Sequence, residues 1–116
     1  VSFKITYCGS WGYRQRAAGL AAELENKLDA TTNVVVSSGG VFEVEYNNQL
    51  IYSKKKLGRF PEAGEVLKIV FGLDQGLQLQ EAQIQAAKDA PPLPSFMDWL
   101  ASFMTRKKAW PKRKHE

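Results

Sequence analysis

Residues 1–36 read VSFKITYCGSWGYRQRAAGLAAELENKLDATTNVVV, and this stretch decides the fold. Val1, Phe3, Ile5 and Tyr7 alternate with Ser2, Lys4 and Thr6, the period of two that marks a strand with one buried face. Beyond a turn over 8–12, Ala17, Leu20, Ala21, Leu24 and Leu28 recur at helical spacing, which predicts a helix to about Ala30 with one apolar stripe. Thr31, Thr32 and Asn33 are expected to break that helix, and residues 34–36, three valines, read as a short central strand. A strand–helix–strand opening favours a parallel pair joined by a right-handed crossover.

Working outward, residues 37–40 (SSGG) form a turn and 41–46 (VFEVEY) a strand in which Val41, Glu43 and Glu45 alternate with Phe42, Val44 and Tyr46. Asn47-Asn48 is a two-residue hairpin signal, because asparagine tolerates positive φ, and 49–53 (QLIYS) is the returning strand. Residues 54–60 read as a basic, mobile loop. Pro61 suits the first turn of a helix, where no amide donor is needed, and Ala63, Val66, Leu67, Val70 and Phe71 supply that helix with a buried face. The order predicts an α/β domain with a mixed four-stranded sheet and packed helices, thioredoxin-like β-α-β-β-β-α, over residues 1–72.

Two further segments follow. Residues 73–94 hold a Gln- and Ala-rich helix over 77–90 and the stiff spacer PPLP. In 95–116, Ser95 is a good N-cap with Asp98 at the capping-box position. Phe96, Trp99, Leu100, Phe103 and Met104 share one helical face ahead of a basic tail that includes Lys107, Lys108 and Trp110.

Composition removes several chemistries. In 116 residues there is one cysteine, which excludes a disulfide framework and a Cys-ligated zinc site within the chain. The one histidine, His115, lies in the tail, so Ser–His or Cys–His catalysis is not expected. The net charge is +4, but Arg106, Lys107, Lys108, Lys112, Arg113 and Lys114 against Glu116 put +5 in the tail and leave −1 on residues 1–105. A nucleic-acid binder needs a basic face on the fold itself, so that class is not expected. No apolar run reaches the roughly 18–20 residues of a membrane span. A lone cysteine points to an intracellular, reducing compartment, the cytoplasm first and an organelle second.

Chemical content concentrates in Tyr7-Cys8-Gly9-Ser10-Trp11-Gly12-Tyr13. A cysteine between a strand and a helix lies near the positive end of the helix dipole, where backbone amides lower a thiol pKa, and Arg14 and Arg16 add positive potential if they face the turn. The segment YCGSWGYRQ resembles the redox turn of the selenoprotein W (Rdx) family, YCG-x-U-GY, in which U is selenocysteine or cysteine. GVFEVEY (40–46), LIYSKK (50–55) and Gly58-Arg59-Phe60-Pro61 resemble further blocks of that family, in order, so that the likeness spans about residues 3–71. The resemblance implies thiol-redox chemistry with glutathione or a client protein thiol as co-substrate, Cys8 as the thiol and position 11 as its selenol or thiol partner. No resident cofactor is implied. Here position 11 is Trp11, so an intramolecular dithiol cycle is not available to the sequence as written. Either the tryptophan is genuine, or a UGA selenocysteine codon has been read as tryptophan.

Each feature also has a plainer reading. Cys8 can be a small structural residue, Trp11 a hydrophobic plug over the site or an anchor for a partner, and Lys54–Lys56 with Arg59 a solvated loop or an anion contact. Glu43 and Glu45, on one strand face, read as solvent-exposed rather than as an acid–base pair. The stripe of residues 96–104 is too apolar for water; folding back on its own domain, docking to a protein partner and lying on an acidic membrane surface with the tail lysines are the three readings. The alternative to a thiol-redox function is a non-catalytic binding module or assembly subunit anchored by residues 95–116.

Overall fold

The computed structural model describes residues 1–88 and 96–103. It contains strand β1 (Ser2–Cys8), helix α1 (Tyr13–Leu28), strands β2 (Thr31–Ser37), β3 (Phe42–Tyr46) and β4 (Gln49–Ser53), and helices α2 (Lys54–Leu57), α3 (Glu65–Asp74), α4 (Leu79–Ala87) and α5 (96–103). The sheet order is β2-β1-β3-β4, with β1 parallel to β2 and antiparallel to β3, and β3 antiparallel to β4. This is the mixed four-stranded, thioredoxin-like α/β fold expected from the element order.

The alternation in β1 sorts the sheet into two faces. Phe3, Ile5 and Tyr7 stand opposite Tyr46, Val44 and Phe42, while Lys4 and Thr6 stand opposite Glu45 and Glu43. The first set belongs to the core or packs against it, together with Ala17, Ala21, Leu24 and Leu28 of α1 and Val66, Ile69 and Val70 of α3. The second set is polar, with Lys4 set opposite an unlike charge on Glu45 and Thr6 opposite Glu43, as suits a face turned from the core. Asn47 and Asn48 both adopt positive φ, 49° and 71°, as the tight hairpin between β3 and β4 requires.

Four expectations are corrected. Residues 31–33 do not merely break α1: they begin β2, because Asp29 in left-handed geometry (φ 54°) ends the helix and the β-branched threonines enter the ladder beside Ser2 and Phe3. Nor is β2 central. It is an edge strand, and Val34 and Val36 are 42% and 61% exposed. Residues 54–57 form a short helix rather than an irregular loop, closed by Gly58 at φ 85° donating to the Lys54 carbonyl. Finally, α3 begins at Glu65 and not at Pro61, so Ala63 is exposed while Ile69 joins the buried face.

The helices beyond residue 74 close over α3. Gly72 lets α4 come so near that a Cβ there would sit 2.9 Å from the Cβ of Ala82, and Ala82 and Ala86 are buried. Gln83 Nε2 donates to the Ile51 carbonyl at 2.9 Å, which ties α4 to β4. On α5, Phe96 is buried and packs edge-on against Phe71; Trp99 meets Phe71, Phe96 and Phe103. The Trp99 indole N–H donates to Asp74 at 3.1 Å, and Asp74 also accepts from the Tyr46 hydroxyl at 3.3 Å. Burying side chains of this size is worth about 1.5–3 kcal/mol each, enough to hold a two-turn helix in place. Among the described residues, no helix is long and apolar enough to cross a membrane.

Candidate functional site: a single thiol at the β1–α1 junction

Cys8 is the last residue of β1, paired with Ser37 of β2. Its backbone N–H donates to the Val41 carbonyl at 2.8 Å, and the next amide, Gly9, donates to the Ser37 carbonyl at 3.1 Å. The cysteine backbone is thus pinned between β2 and the 37–41 turn. Gly39 and Gly40 build that turn with φ of 78° and 74°, a conformation open to glycine and costly for other residues. Gly12, at φ 91°, then reverses the chain into α1.

The residue is 6% exposed. Sγ lies 3.1 Å from the Ser10 hydroxyl. This bond first, then the backbone amides of Ser10 and Gly40, hold the thiol pKa below its ordinary value; burial opposes them and the Lys54 ammonium assists. The helix dipole invoked from sequence is therefore replaced by loop amides, since α1 does not start until Tyr13, five residues on. The cation is also different. Arg16 stacks on Phe60, 4.3 Å from its ring centroid, and Arg14 points to solvent, whereas Lys54 lies 5.7 Å from the Tyr13 ring and 5.3 Å from Phe60.

Trp11 is 94% exposed. The plug reading is overturned: the indole covers nothing, and the fold gains no packing from it. Of the stripe proposed for partner binding, Phe96, Trp99, Leu100 and Phe103 pack against the chain's own core, while Met104, Lys107, Lys108 and Trp110 lie outside the described residues. Glu43 accepts from the Ser53 hydroxyl at 3.5 Å, and it forms no acid–base pair with Glu45 in any hydrogen bond of the described residues. Those residues also hold no cluster of three or more His, Cys, Asp or Glu side chains able to bind a metal.

Ser10, Gly40 and Lys54 act on the sulfur, a role that the sequence did not assign to them, although Lys54 stood among the residues read as a solvated loop or an anion contact. Ser10 was visible as a hydroxyl two residues from the cysteine. Gly40 reaches the sulfur through the pairing of β1 with β2 and β3, and Lys54 through the further pairing of β3 with β4.

The fold and the thiol turn define a thioredoxin-like α/β protein with one cysteine where its first strand hands over to its first helix. The Rdx family model matches residues 2–71, and the chain belongs to the Rdx family. It is 33% identical over 82 residues to selenoprotein W of Danio rerio, an alignment covering 66% of this chain and 95% of that protein. Among solved structures, it is similar to a selenoprotein W-related protein from Vibrio cholerae (32% identity, TM-score 0.52, 58% of this chain and 86% of that one). A protein from Bordetella parapertussis is similar to the same degree (33% identity, TM-score 0.55, 66% and 96%). The family is thiol-redox related. The helices α4 and α5 lie beyond the segment its model matches.

Proposed function

We propose that the chain is a one-thiol redox protein that exchanges disulfides through Cys8 with glutathione or with a cysteine of a client protein. The observation that carries this is the sulfur's surroundings: one hydroxyl, two backbone amides and a lysine all favour the thiolate over the thiol. In the forward step the Cys8 thiolate attacks one sulfur of an external disulfide, forming a Cys8–S–S–R bond and releasing the other half as a thiolate. A second external thiolate then attacks the R sulfur, which regenerates the Cys8 thiolate and leaves a new external disulfide. The cycle exchanges one external disulfide for another with one thiolate consumed and one released, and no partner is needed at position 11.

Exposure of Trp11 supports two additions. A large aromatic on a pinned turn beside the thiol suits an anchor for the client chain. Equally, because no packing depends on the indole, selenocysteine at position 11 would leave the fold intact and supply a second chalcogen; intact mass with sequencing across residues 9–13 distinguishes the two. The alternative, a non-catalytic module anchored by residues 95–116, draws no support from 96–103, whose Phe96, Trp99, Leu100 and Phe103 are used within the chain.

The test is the rate of alkylation of Cys8 between pH 5 and 10, with Ser10→Ala alongside. The wild-type curve should rise at lower pH than that of an ordinary cysteine, and the Ser10→Ala curve should move back up. Incubation with oxidised glutathione should give one glutathione adduct, absent in Cys8→Ser. A thiol that titrates like free cysteine and takes up no glutathione would refute the proposal.

A further inference from the structure

We infer that the β2 edge and the adjoining face of α1 form a self-complementary surface on which a second copy of this chain docks antiparallel, joining two four-stranded sheets into one of eight strands. Among the described residues β2 pairs with β1 alone, so its outer edge presents a row of free backbone donors and acceptors. Exposed edges are normally protected by lysine, proline or a bulge. Here the strand is TTNVVVS, seven residues with no charge and no proline, in unbroken register with β1. Its exposed side chains include Val34 and Val36. Such an edge accepts an extended strand, and the neighbouring helix indicates whose strand it is.

The Thr32 hydroxyl donates to Glu25, so this ridge of α1 runs along β2. Three helical turns earlier the same ridge carries Arg14, with Ala18 between them, and all three are exposed. One end of the ridge is therefore cationic and the other anionic, where Asp29 adds to Glu25, with a small residue in the middle. Gly9, before α1, lies beside Val36, where a Cβ would be 3.4 Å from the valine methyl. The start of α1 is thus level with Val36 and its end with Thr32, which places Ala18 near the level of Val34.

A two-fold axis through Val34 then satisfies both elements at once. In the strands it sets Val34 against Val34 and Thr32 against Val36 of the copy. In the helices it sets Arg14 against the copy's Glu25, twice, with opposed dipoles and the alanines at the crossing. A client strand of arbitrary sequence would meet the backbone row but not the charge pattern. Antiparallel pairing about Val34 also puts Ser37, the ladder partner of Cys8, across from Thr31 of the copy, so the two thiols lie at opposite ends of the joint strand pair. The association does not depend on a disulfide.

Sedimentation velocity of the full chain at 1–200 µM in reductant should show a monomer–dimer equilibrium that Cys8→Ser leaves unchanged. Arg14→Glu should raise its dissociation constant by about tenfold or more, since two attractive contacts become repulsive, and Arg14→Glu with Glu25→Arg should recover most of the loss. Val36→Lys should also weaken it. Circular dichroism confirms that each variant is folded. As an independent readout, Val34→Cys in the Cys8→Ser background should form an interchain disulfide under mild oxidation, whereas Glu62→Cys should not. A wild-type chain that is monomeric throughout this range, or a dimer indifferent to Arg14→Glu and Val36→Lys, overturns the inference. Neither result bears on the chemistry of Cys8, which the alkylation curve reads separately.

Discussion

Replacing Gly72 by alanine adds one methyl where α3 meets α4, and the geometry sets its cost. The new Cβ would lie 2.9 Å from Ala82 Cβ, 3.3 Å from Ala82 Cα and 3.3 Å from a Leu77 methyl. Carbon atoms pack at about 3.5–4.0 Å, so α4 must retreat by roughly 0.5–1 Å. Leu77 can rotate away, but the backbone atom of Ala82 cannot. Overpacking of this kind costs about 1–3 kcal/mol, while alanine in place of glycine within a helix returns about 1 kcal/mol. The expected result is a net loss of up to about 2 kcal/mol, well short of the gain at an open helical glycine. Gly19→Ala is the matched control: it lies in α1, its added Cβ meets nothing within 4 Å, and the same propensity term should appear alone as a gain of about 0.5–1 kcal/mol. Urea unfolding of the three proteins measures both. If Gly72→Ala gains as much stability as Gly19→Ala, α4 is not seated on α3 and the close approach is refuted.

Other perturbations address the remaining parts of the fold. Glu65 is 3% exposed and accepts two bonds from Arg59, at 2.7 and 2.9 Å, and one from the Glu62 amide at 2.8 Å; Glu65→Ala should cost about 2–3 kcal/mol by denaturant unfolding, a buried-pair loss reduced because Arg59 can turn to solvent. The Tyr52 hydroxyl donates to the Arg59 carbonyl at 2.7 Å, and burial first, then the Glu65 charge, pushes its pKa up to about 12. Because the folded value lies above the unfolded 10.0, this stability is complete below pH 10 and is lost as pH rises towards 12; Tyr52→Phe should flatten that decline in a thermal-melting series. For Cys8 the sign is opposite. A depressed thiol pKa contributes stability above the unfolded value, lost as pH falls through the folded one, so the margin of wild type over Cys8→Ser should widen on going alkaline. Trp99→Ala should free α5, seen as new protease cleavage within 96–103, and leave the Cys8 alkylation curve unchanged.

The sequence by itself determined the order of strands and helices, the hairpin at Asn47-Asn48 and the kinship carried by Cys8 and the FEVEY and LIYSKK blocks. These are local: alternation and helical spacing depend on burial within one element, and a positive φ on one or two residues. It also exposed the mismatch at Trp11, because residue type alone excludes a disulfide there. Only the tertiary structure decided that β2 is an edge, since three consecutive valines suit a covered strand and a half-covered one equally well. It decided that 54–57 is a helical turn closed by Gly58 on the Lys54 carbonyl, and that α3 waits until Glu65, where the carboxylate caps the Glu62 amide and captures Arg59. It turned the apolar stripe of 96–103 inward against Phe71 and left the indole of Trp11 in water. Above all it brought Ser10, Gly40 and Lys54 around one sulfur. Ser10 is near by sequence, but Gly40 and Lys54 are brought there by strand pairing, which no local spacing encodes.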